Sequence, residues 1–221
     1  MLFDLDGTLT DPNGDIVAAM TSALDSVGAP VPADAVLRAH IGPPLLHTLG
    51  AFGLDPETAA VVMGRYREAY RANRSADTTV HDGMPELLAS LRAAGVRIGV
   101  ATSKPAEIAR DVLDETGLAP LVDTIAGPGL DERDASKDLV VAMALAQHDH
   151  PDASTVQMVG DRSFDVLGAR AHGIDTIGVL WGFGDATELR EAGAVAVADT
   201  VLTLRGLLVG DPSELTAGTG S

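Results

Sequence analysis

Alternating helix and strand patterns from Gly83 onward constrain the fold of this chain more than any other feature. Short apolar runs typical of buried strands lie near residues 96–101, 122–126, 155–159 and 174–179, with a weaker run near 194–198. Helical segments separate these runs, and such alternation predicts an α/β fold with a doubly wound, mainly parallel sheet. Ligands of such sheets bind at the carboxyl ends of the strands.

The residues before Gly83 show a different pattern. Apolar residues recur at helical spacing from Ile16 to Val27 and again from about Pro56 to Arg74. Residues 12–80 contain no convincing strand pattern. We therefore expect a Rossmann-like core formed by residues 1–11 and 81–209, with a small helical domain, residues 12–80, inserted after the first strand. Residues 210–221 are rich in small and polar side chains, and we expect a mobile tail there.

The composition excludes several classes of function. A net charge of −17 argues against a nucleic-acid partner, because such partners are bound mainly by clustered Lys and Arg. A small phosphorylated molecule stays possible, since bound Mg²⁺ can supply the local positive charge. The chain has no cysteine, which excludes disulfides and thiolate chemistry. No apolar run approaches the roughly 20 residues of a membrane span, and no signal peptide is evident, so we expect a cytoplasmic protein.

The first motif places two carboxylates two residues apart. Asp4 and Asp6 follow the short apolar run Met1-Leu2-Phe3, and Gly7 comes next. Carboxylates at the end of a buried strand are costly unless a metal ion or a catalytic role keeps them there. The alternative interpretation is a surface Asp-Gly turn. Only three residues precede Asp4, so we expect a short first strand; either leading residues are missing or the strand starts late.

Lysine is rare in this chain, and both lysines occupy informative positions. Lys104 lies in Thr102-Ser103-Lys104-Pro105, between a predicted strand and a predicted helix start at Pro105. Hydroxyl and backbone N–H groups at such a turn can bind an anion. Lys137 precedes an apolar helix at residues 139–145 and follows a polar loop at residues 131–136. The alternative for either lysine is a solvated surface charge.

The last motif contains a second pair of carboxylates. Gly160 and Asp161 end a predicted strand, and Asp165 follows one helical turn later. Carboxylates at this spacing can reach one hard cation such as Mg²⁺, which prefers oxygen ligands. The alternative is that Asp161 only caps a helix.

Together the four segments resemble the motifs of the haloacid dehalogenase superfamily, in the same order and each after a predicted strand. The helical region at residues 12–80 resembles the cap domain of that family. The turn at residues 102–105, the loop at residues 41–45 and the Trp181-Gly182-Phe183-Gly184 stretch most resemble phosphoglycolate phosphatase-like hydrolases. One departure is Asp138 after Lys137, where the family often has proline.

The resemblance implies a role for each motif residue. Asp4 would attack phosphorus and form an aspartyl-phosphate, while Asp6 would protonate the leaving alcohol and then activate water. Thr102 and Ser103 would bind the phosphoryl oxygens. Lys137 would offset charge on both the nucleophile and the phosphate.

The resemblance also implies a magnesium cofactor. Mg²⁺ would be held by Asp4, the backbone carbonyl of Asp6, and Asp161. Asp165 would act through water or support the other ligands. The ion would allow a carboxylate to approach a phosphate dianion.

The expected function is therefore a phosphatase acting on a small phosphate monoester. Asp6 argues against a dehalogenase, because a halide needs no proton on leaving. A sugar phosphomutase and a non-catalytic regulator stay as alternatives. Phosphoglycolate, nucleoside monophosphates and sugar phosphates are all open as substrates. A homodimer is possible, and the candidate specificity residues are His40, residues 41–47, Arg65 and Arg67.

Overall fold

The computed structural model describes residues 1–12, 14–131 and 136–209, and for residues 73–77 it describes the backbone without the side chains. The strands are β1 (Leu2–Phe3), β2 (Thr10–Asp11), β3 (Thr79–Val80), β4 (Gly99–Ala101), β5 (Thr124–Ala126), β6 (Gln157–Gly160), β7 (Asp175–Val179) and β8 (Ala196–Ala198). The α-helices are α1 (Asp15–Ser26), α2 (Asp34–Ala39), α3 (Leu45–Ala51), α4 (Pro56–Asp77), α5 (Met84–Ala93), α6 (Ala106–Glu115), α7 (Lys137–Gln147), α8 (Ser163–Arg170), α9 (Ala186–Ala192) and α10 (Val201–Val209).

A parallel sheet forms the centre of the molecule. Within the described ranges it has six strands in the order β5-β4-β1-β6-β7-β8. The two-residue strand β1 is as short as expected, and Phe3 pairs with Val100 on one side and Val159 on the other. Leu2 and Phe3 are buried from both faces, which is typical of a central parallel strand. The predicted doubly wound α/β fold is therefore confirmed.

Helices cover both faces of this sheet. On one face an apolar core joins Phe3 and Val100 to leucines of α5 and to buried residues of α6 and α10. On the other face Leu2 and Met158 pack against residues of α7 and α8. Both cores stabilise the sheet mainly through removal of apolar surface from water, at roughly 25 cal/mol per Å².

The helices α1 to α4 form a separate layer with its own apolar core. Buried residues of α1, α3 and α4, among them Leu24, Leu49 and Val62, pack together there. The expectation of no strand in residues 12–80 was wrong at its end, because Thr79 and Val80 form β3 and pair antiparallel with β2. These two short strands pair the segment that leads into the helical layer with the segment that leads out of it. The sequence pattern indicated α1 and α4 but not the short helices α2 and α3.

Some sequence predictions fall outside the part of the chain that the structure describes. The proposed tail at residues 210–221 lies there, as does most of the loop before Lys137, residues 132–135. In the described ranges, every helix is too short or too polar to cross a lipid bilayer.

Candidate active site

The motif residues meet at the carboxyl end of the parallel sheet. Asp4 directly follows β1, Thr102 directly follows β4, and Asp161 directly follows β6. These strands are neighbours, so their ends lie side by side. The first turns of two helices add Lys137 from α7 and Asp165 from α8. The sequence-predicted residues of all four segments are thus brought to one place.

Three carboxylates form a compact acidic cluster. Oxygen atoms of Asp4, Asp161 and Asp165 lie within 4.8 Å of one another, and all three residues are buried. Burial and the Asp165 and Asp4 charges raise the pKa of Asp161 well above its ordinary range. Burial also raises the pKa of Asp165 to about 6, although Lys137 acts in the opposite direction. The cluster therefore carries unfavourable negative charge that a cation would relieve.

Lys137 is held in place by two ion pairs and one hydrogen bond. Its ammonium group lies 2.8 Å from Oδ1 of Asp4 and 2.7 Å from Oδ1 of Asp165, and donates to the carbonyl of Ala101 at 2.9 Å. Burial alone would lower the pKa of Lys137, but the Asp165 and Asp4 charges raise it above its usual range. Lys137 is therefore a fixed positive charge beside Asp4.

Asp161 is positioned by groups from two loops. Its Oδ1 accepts a hydrogen bond from the Thr8 hydroxyl at 3.1 Å, and its Oδ2 accepts one from the backbone N–H of Phe183 at 2.8 Å. Gly182 lies so close to the Asp161 side chain that a Cβ atom there would overlap it. The Trp181–Gly184 stretch therefore supports the acidic cluster, a role that sequence reasoning did not assign.

Asp165 is fixed by α8 itself. Its Oδ2 accepts a hydrogen bond from the backbone N–H of Arg162 at 3.0 Å, in a capping arrangement at the start of the helix. The other oxygen pairs with Lys137. Gly160 allows this approach, because a Cβ atom there would overlap the Asp165 carboxyl. Both oxygens of Asp165 thus have protein partners.

Asp6 lies beside the acidic cluster and pairs with the second lysine. Lys104 Nζ donates to Asp6 Oδ1 at 2.7 Å and to the hydroxyl of Tyr70 at 2.6 Å. Burial raises the pKa of Asp6, while Lys104 acts to lower it. Sequence reasoning noted the rarity of lysine but did not place Lys104 in the site. Tyr70 falls within the helical pattern predicted from about Pro56 to Arg74, which gave it no role in the site.

Two hydroxyls border the space in front of Asp4. Thr102 is buried, and its Oγ1 accepts a hydrogen bond from the backbone N–H of Lys104 at 3.1 Å. The Oγ of Ser103 is buried and has no hydrogen-bond partner among the described residues. Because a buried hydroxyl without a partner is costly, Ser103 is suited to binding a polar group in the cavity.

A cavity of about 920 Å³, measured out to its open mouth, connects these residues to the helical layer. Asp4, Asp6 and residues 102–105 form its floor. The residues opposite are mostly apolar and come from α1 to α4 and from Phe52, which directly follows α3; the helical ones are Val17, Met20, Leu37, Leu45 and Tyr66. A phosphate ester held at Asp4 would therefore place its leaving group against the helical layer.

Arg162 links the core to the helical layer. Its Nε donates to Glu188 at 2.9 Å, Nη2 donates to the carbonyl of Ala39 at 3.2 Å, and Nη1 donates to the carbonyl of Ile41. Arg162 is buried and lines the cavity. It belongs to the fourth motif, but its spacing alone did not indicate this contact.

The candidate specificity residues divide into two groups. His40, Ile41, Leu45 and Arg67 line the cavity. His47 is exposed on the surface. Arg65 pairs with Glu68 at 3.2 Å on an exposed face of α4.

A sequence model described as haloacid dehalogenase-like hydrolase matches residues 1–179. The chain belongs to this family. Among the relatives, a 5′-nucleotidase from Pseudomonas aeruginosa is 38% identical over 86% of this chain and 86% of its own length. A phosphoglycolate phosphatase from Rhodospirillum rubrum is 31% identical over 92% of this chain and 88% of its own length.

Another relative carries a different name. The tyrosine-protein kinase PtkA of Mycobacterium tuberculosis is 44% identical over 93% of this chain and 70% of its own length. Its solved structure has a TM-score of 0.78, with 94% of this chain and 96% of that chain covered.

A crystal structure described as a predicted phosphatase from Clostridium acetobutylicum is also similar. It has a TM-score of 0.89 and 34% identity, and covers 94% of this chain and 96% of that chain. The predicted membership of this haloacid dehalogenase-like family is confirmed, with its phosphoglycolate phosphatase-like relatives. The predicted enzyme class, a phosphoric monoester hydrolase, is confirmed as well.

Proposed function

We propose that this chain is a magnesium-dependent phosphatase that hydrolyses a small phosphate monoester through an aspartyl-phosphate at Asp4. The observation that carries the proposal is the placement of Asp4 and Asp6 together on the floor of one cavity. A buried lysine lies beside each of them, with Lys137 at Asp4 and Lys104 at Asp6. This arrangement supplies a nucleophile and a separate proton-transfer group to the same ester.

The first step would transfer the phosphoryl group to Asp4. An oxygen of Asp4 forms a bond to phosphorus while the bond from phosphorus to the ester oxygen breaks, and Asp6 gives that oxygen a proton. The hydroxyls of Thr102 and Ser103 donate hydrogen bonds to the phosphoryl oxygens. Lys137 offsets part of the negative charge beside Asp4.

The second step would release phosphate. Asp6, now a carboxylate, takes a proton from a water molecule as the water oxygen attacks phosphorus. The bond between phosphorus and the Asp4 oxygen breaks, which restores the Asp4 carboxylate. Asp6 ends the cycle protonated and ready for the next ester.

The residues present fit a divalent cation. Four carboxylates, Asp4, Asp6, Asp161 and Asp165, face two ammonium groups, so two negative charges stay uncompensated when all four are ionised. Asp4, Asp161 and the backbone carbonyl of Asp6 would hold Mg²⁺, with Asp165 supporting them or acting through water. Bound Mg²⁺ would supply the positive charge that lets a phosphate dianion approach a carboxylate.

The helical layer would act as the cap over this site, with residues 12–80 as the cap domain and residues 1–11 and 81–209 as the core. Its apolar cavity wall supports a role in enclosing the leaving group. The names of the relatives support phosphoglycolate and a nucleoside monophosphate as candidate substrates. A cytoplasmic location, the absence of nucleic-acid partners and a homodimer stay predictions.

A protein tyrosine kinase is the second candidate function. The similarity that favours it is the 44% identity to a protein named tyrosine-protein kinase over 93% of this chain. In that function a tyrosine hydroxyl, rather than water, would accept the phosphoryl group. The same Asp4 and Asp6 could serve both reactions, so the acceptor must be tested directly.

A panel of phosphate monoesters tests the proposal. The intact chain with Mg²⁺ should release inorganic phosphate from at least one ester, and a chelator should stop the release. Asp4→Asn should lose at least about a thousandfold in rate, because it removes the nucleophile. Transfer from ATP to a tyrosine peptide without phosphate release from any ester would instead favour the kinase.

A further inference from the structure

Lys104 forms a buried bridge between the helical layer and Asp6. Its ammonium group donates to Asp6 Oδ1 at 2.7 Å and to the Tyr70 hydroxyl at 2.6 Å. The Lys104 side chain is 7% exposed and that of Asp6 is 13% exposed. Tyr70 lies on α4 and is fully buried. A chain of short polar contacts therefore runs from α4 to a carboxylate on the cavity floor.

The bridge is held firmly at both ends. The backbone N–H of Lys104 donates to Thr102 Oγ1 at 3.1 Å, and α6 begins two residues later. At the other end, Tyr70 packs with Ile16 of α1 and Ile108 of α6. Its ring stacks against the ring of Tyr66, with 5.9 Å between the two ring centroids. Because both ends are packed, the ammonium group has little freedom to move, and it restricts Asp6 in turn.

Neither lysine is a general surface charge. The chain has two lysines among 221 residues, and both are buried against motif carboxylates. Lys137 contacts Asp4, which would accept the phosphoryl group. Lys104 contacts Asp6, which would transfer the proton. Each proposed chemical role is therefore matched by its own ammonium group.

We infer that Lys104 and Tyr70 are positioning residues that aim the Asp6 carboxyl at the leaving-group oxygen of the ester. The inference rests on the proposed function, because it concerns the residue that delivers the proton. Tyr70 fixes Lys104, and Lys104 fixes Asp6. The helical layer thus contributes to proton transfer through Tyr70 as well as enclosing the leaving group.

This role has a signature that a loss of general stability would not produce. An alkyl phosphate needs a proton on its leaving oxygen, whereas p-nitrophenyl phosphate releases a stable phenolate without one. The ratio kcat/KM reports the steps up to release of the first product, where only the alkyl ester needs Asp6 as an acid. Misplacement of Asp6 should therefore lower kcat/KM for the alkyl ester selectively.

The experiment compares Tyr70→Phe with the intact chain on p-nitrophenyl phosphate and on the best alkyl phosphate of the panel. The variant keeps the ring and removes only the hydroxyl that Lys104 contacts. We expect kcat/KM to fall about tenfold for the alkyl ester and by less than about twofold for the aryl ester. The tenfold loss is only part of what a general acid contributes, because Asp6 itself is still present. Lys104→Met should show the same selectivity to a larger degree.

Val112→Ala is the control for general destabilisation, because Val112 of α6 is buried in the apolar core of the sheet and is not one of the residues that line the cavity. Any loss it causes should be equal for the two esters. An equal loss, or no loss, for Tyr70→Phe on both esters would overturn the inference while the proposed function stands. A complete lack of phosphate release by the intact chain from either ester would overturn both.

Discussion

Lys137 Nζ lies 2.8 Å from Oδ1 of Asp4, so the first residue of α7 is joined to the residue that follows β1. The same ammonium group reaches Asp165 at 2.7 Å. One buried cation thus serves two carboxylates of the acidic cluster. Removal of such a partner leaves buried charges without compensation, which costs more than the pair itself contributes.

We expect Lys137→Met to destabilise the metal-free chain by about 3 kcal/mol, the usual cost of breaking a buried ion pair from one side. Urea unfolding in the presence of a chelator measures this change. The control is Arg65→Met, because Arg65 pairs with Glu68 on an exposed face. That control should change the free energy of unfolding by less than about 1 kcal/mol. Equal effects of the two substitutions would contradict a structural role for the Lys137 pair.

The acidic cluster should make the stability of the metal-free chain depend on pH. The pKa of Asp165 rises from 3.8 to about 6 on folding, so between these values the folded chain holds the proton more tightly than the unfolded chain. The contribution of Asp165 to the free energy of unfolding therefore falls as the pH rises from about 4 to about 6, by about 3 kcal/mol in total.

Comparison with Asp165→Asn isolates this effect from other titrating groups. The free energy of unfolding of the intact chain, minus that of the variant, should decrease between pH 4 and pH 7 when a chelator is present. Saturating Mg²⁺ should reduce the decrease, because the ion favours the ionised carboxylates. A difference that stays constant or increases with pH in the chelator would disprove the prediction.

Gly182 should tolerate no side chain. A Cβ atom there would overlap the side chain of Asp161, so Gly182→Ala must displace a buried carboxylate. We expect a loss of about 1–3 kcal/mol in stability and weaker stabilisation by Mg²⁺. Gly206→Ala is the control, since nothing lies within 4 Å of its Cβ position in α10. It should instead stabilise the chain by about 0.5–1 kcal/mol through helix propensity, as thermal unfolding would show.

Arg162 should govern how tightly substrate binds. Arg162→Met keeps the apolar part of the side chain but removes the donors to Glu188 and to the carbonyls of Ala39 and Ile41. Because Ile41 lines the cavity, we expect KM to rise about tenfold while kcat changes by less than about threefold. Arg190→Met, at an exposed position of α9, should change neither parameter. A large fall in kcat with unchanged KM would contradict this role.

Local sequence order predicted the sheet and most of the motif residues, because three of the four motifs directly follow a strand. Parallel strands end at one edge, so Asp4, Thr102 and Asp161 had to meet once the strands were recognised. The spacing of one helical turn after Asp161 indicated Asp165, and the rarity of lysine drew attention to Lys137, whose role followed from the resemblance to the family.

Contacts between distant segments could not be predicted in the same way. The bridge from Lys104 to Tyr70 joins residues 34 positions apart, and the contact from Arg162 to Ile41 joins residues 121 positions apart. Local sequence patterns do not indicate how the helical layer packs against the core. The short helices α2 and α3 were missed because helices of this length give little periodic signal.

Asp4 should carry the phosphoryl group during turnover. Acid quenching within milliseconds of mixing the enzyme with Mg²⁺ and its best ester, followed by mass spectrometry of the peptide containing Asp4, tests this directly. We expect an added phosphoryl group on Asp4 that disappears when the ester is exhausted and never forms in Asp4→Asn. Phosphate release at full rate with Asp4 unmodified at every quench time would contradict it.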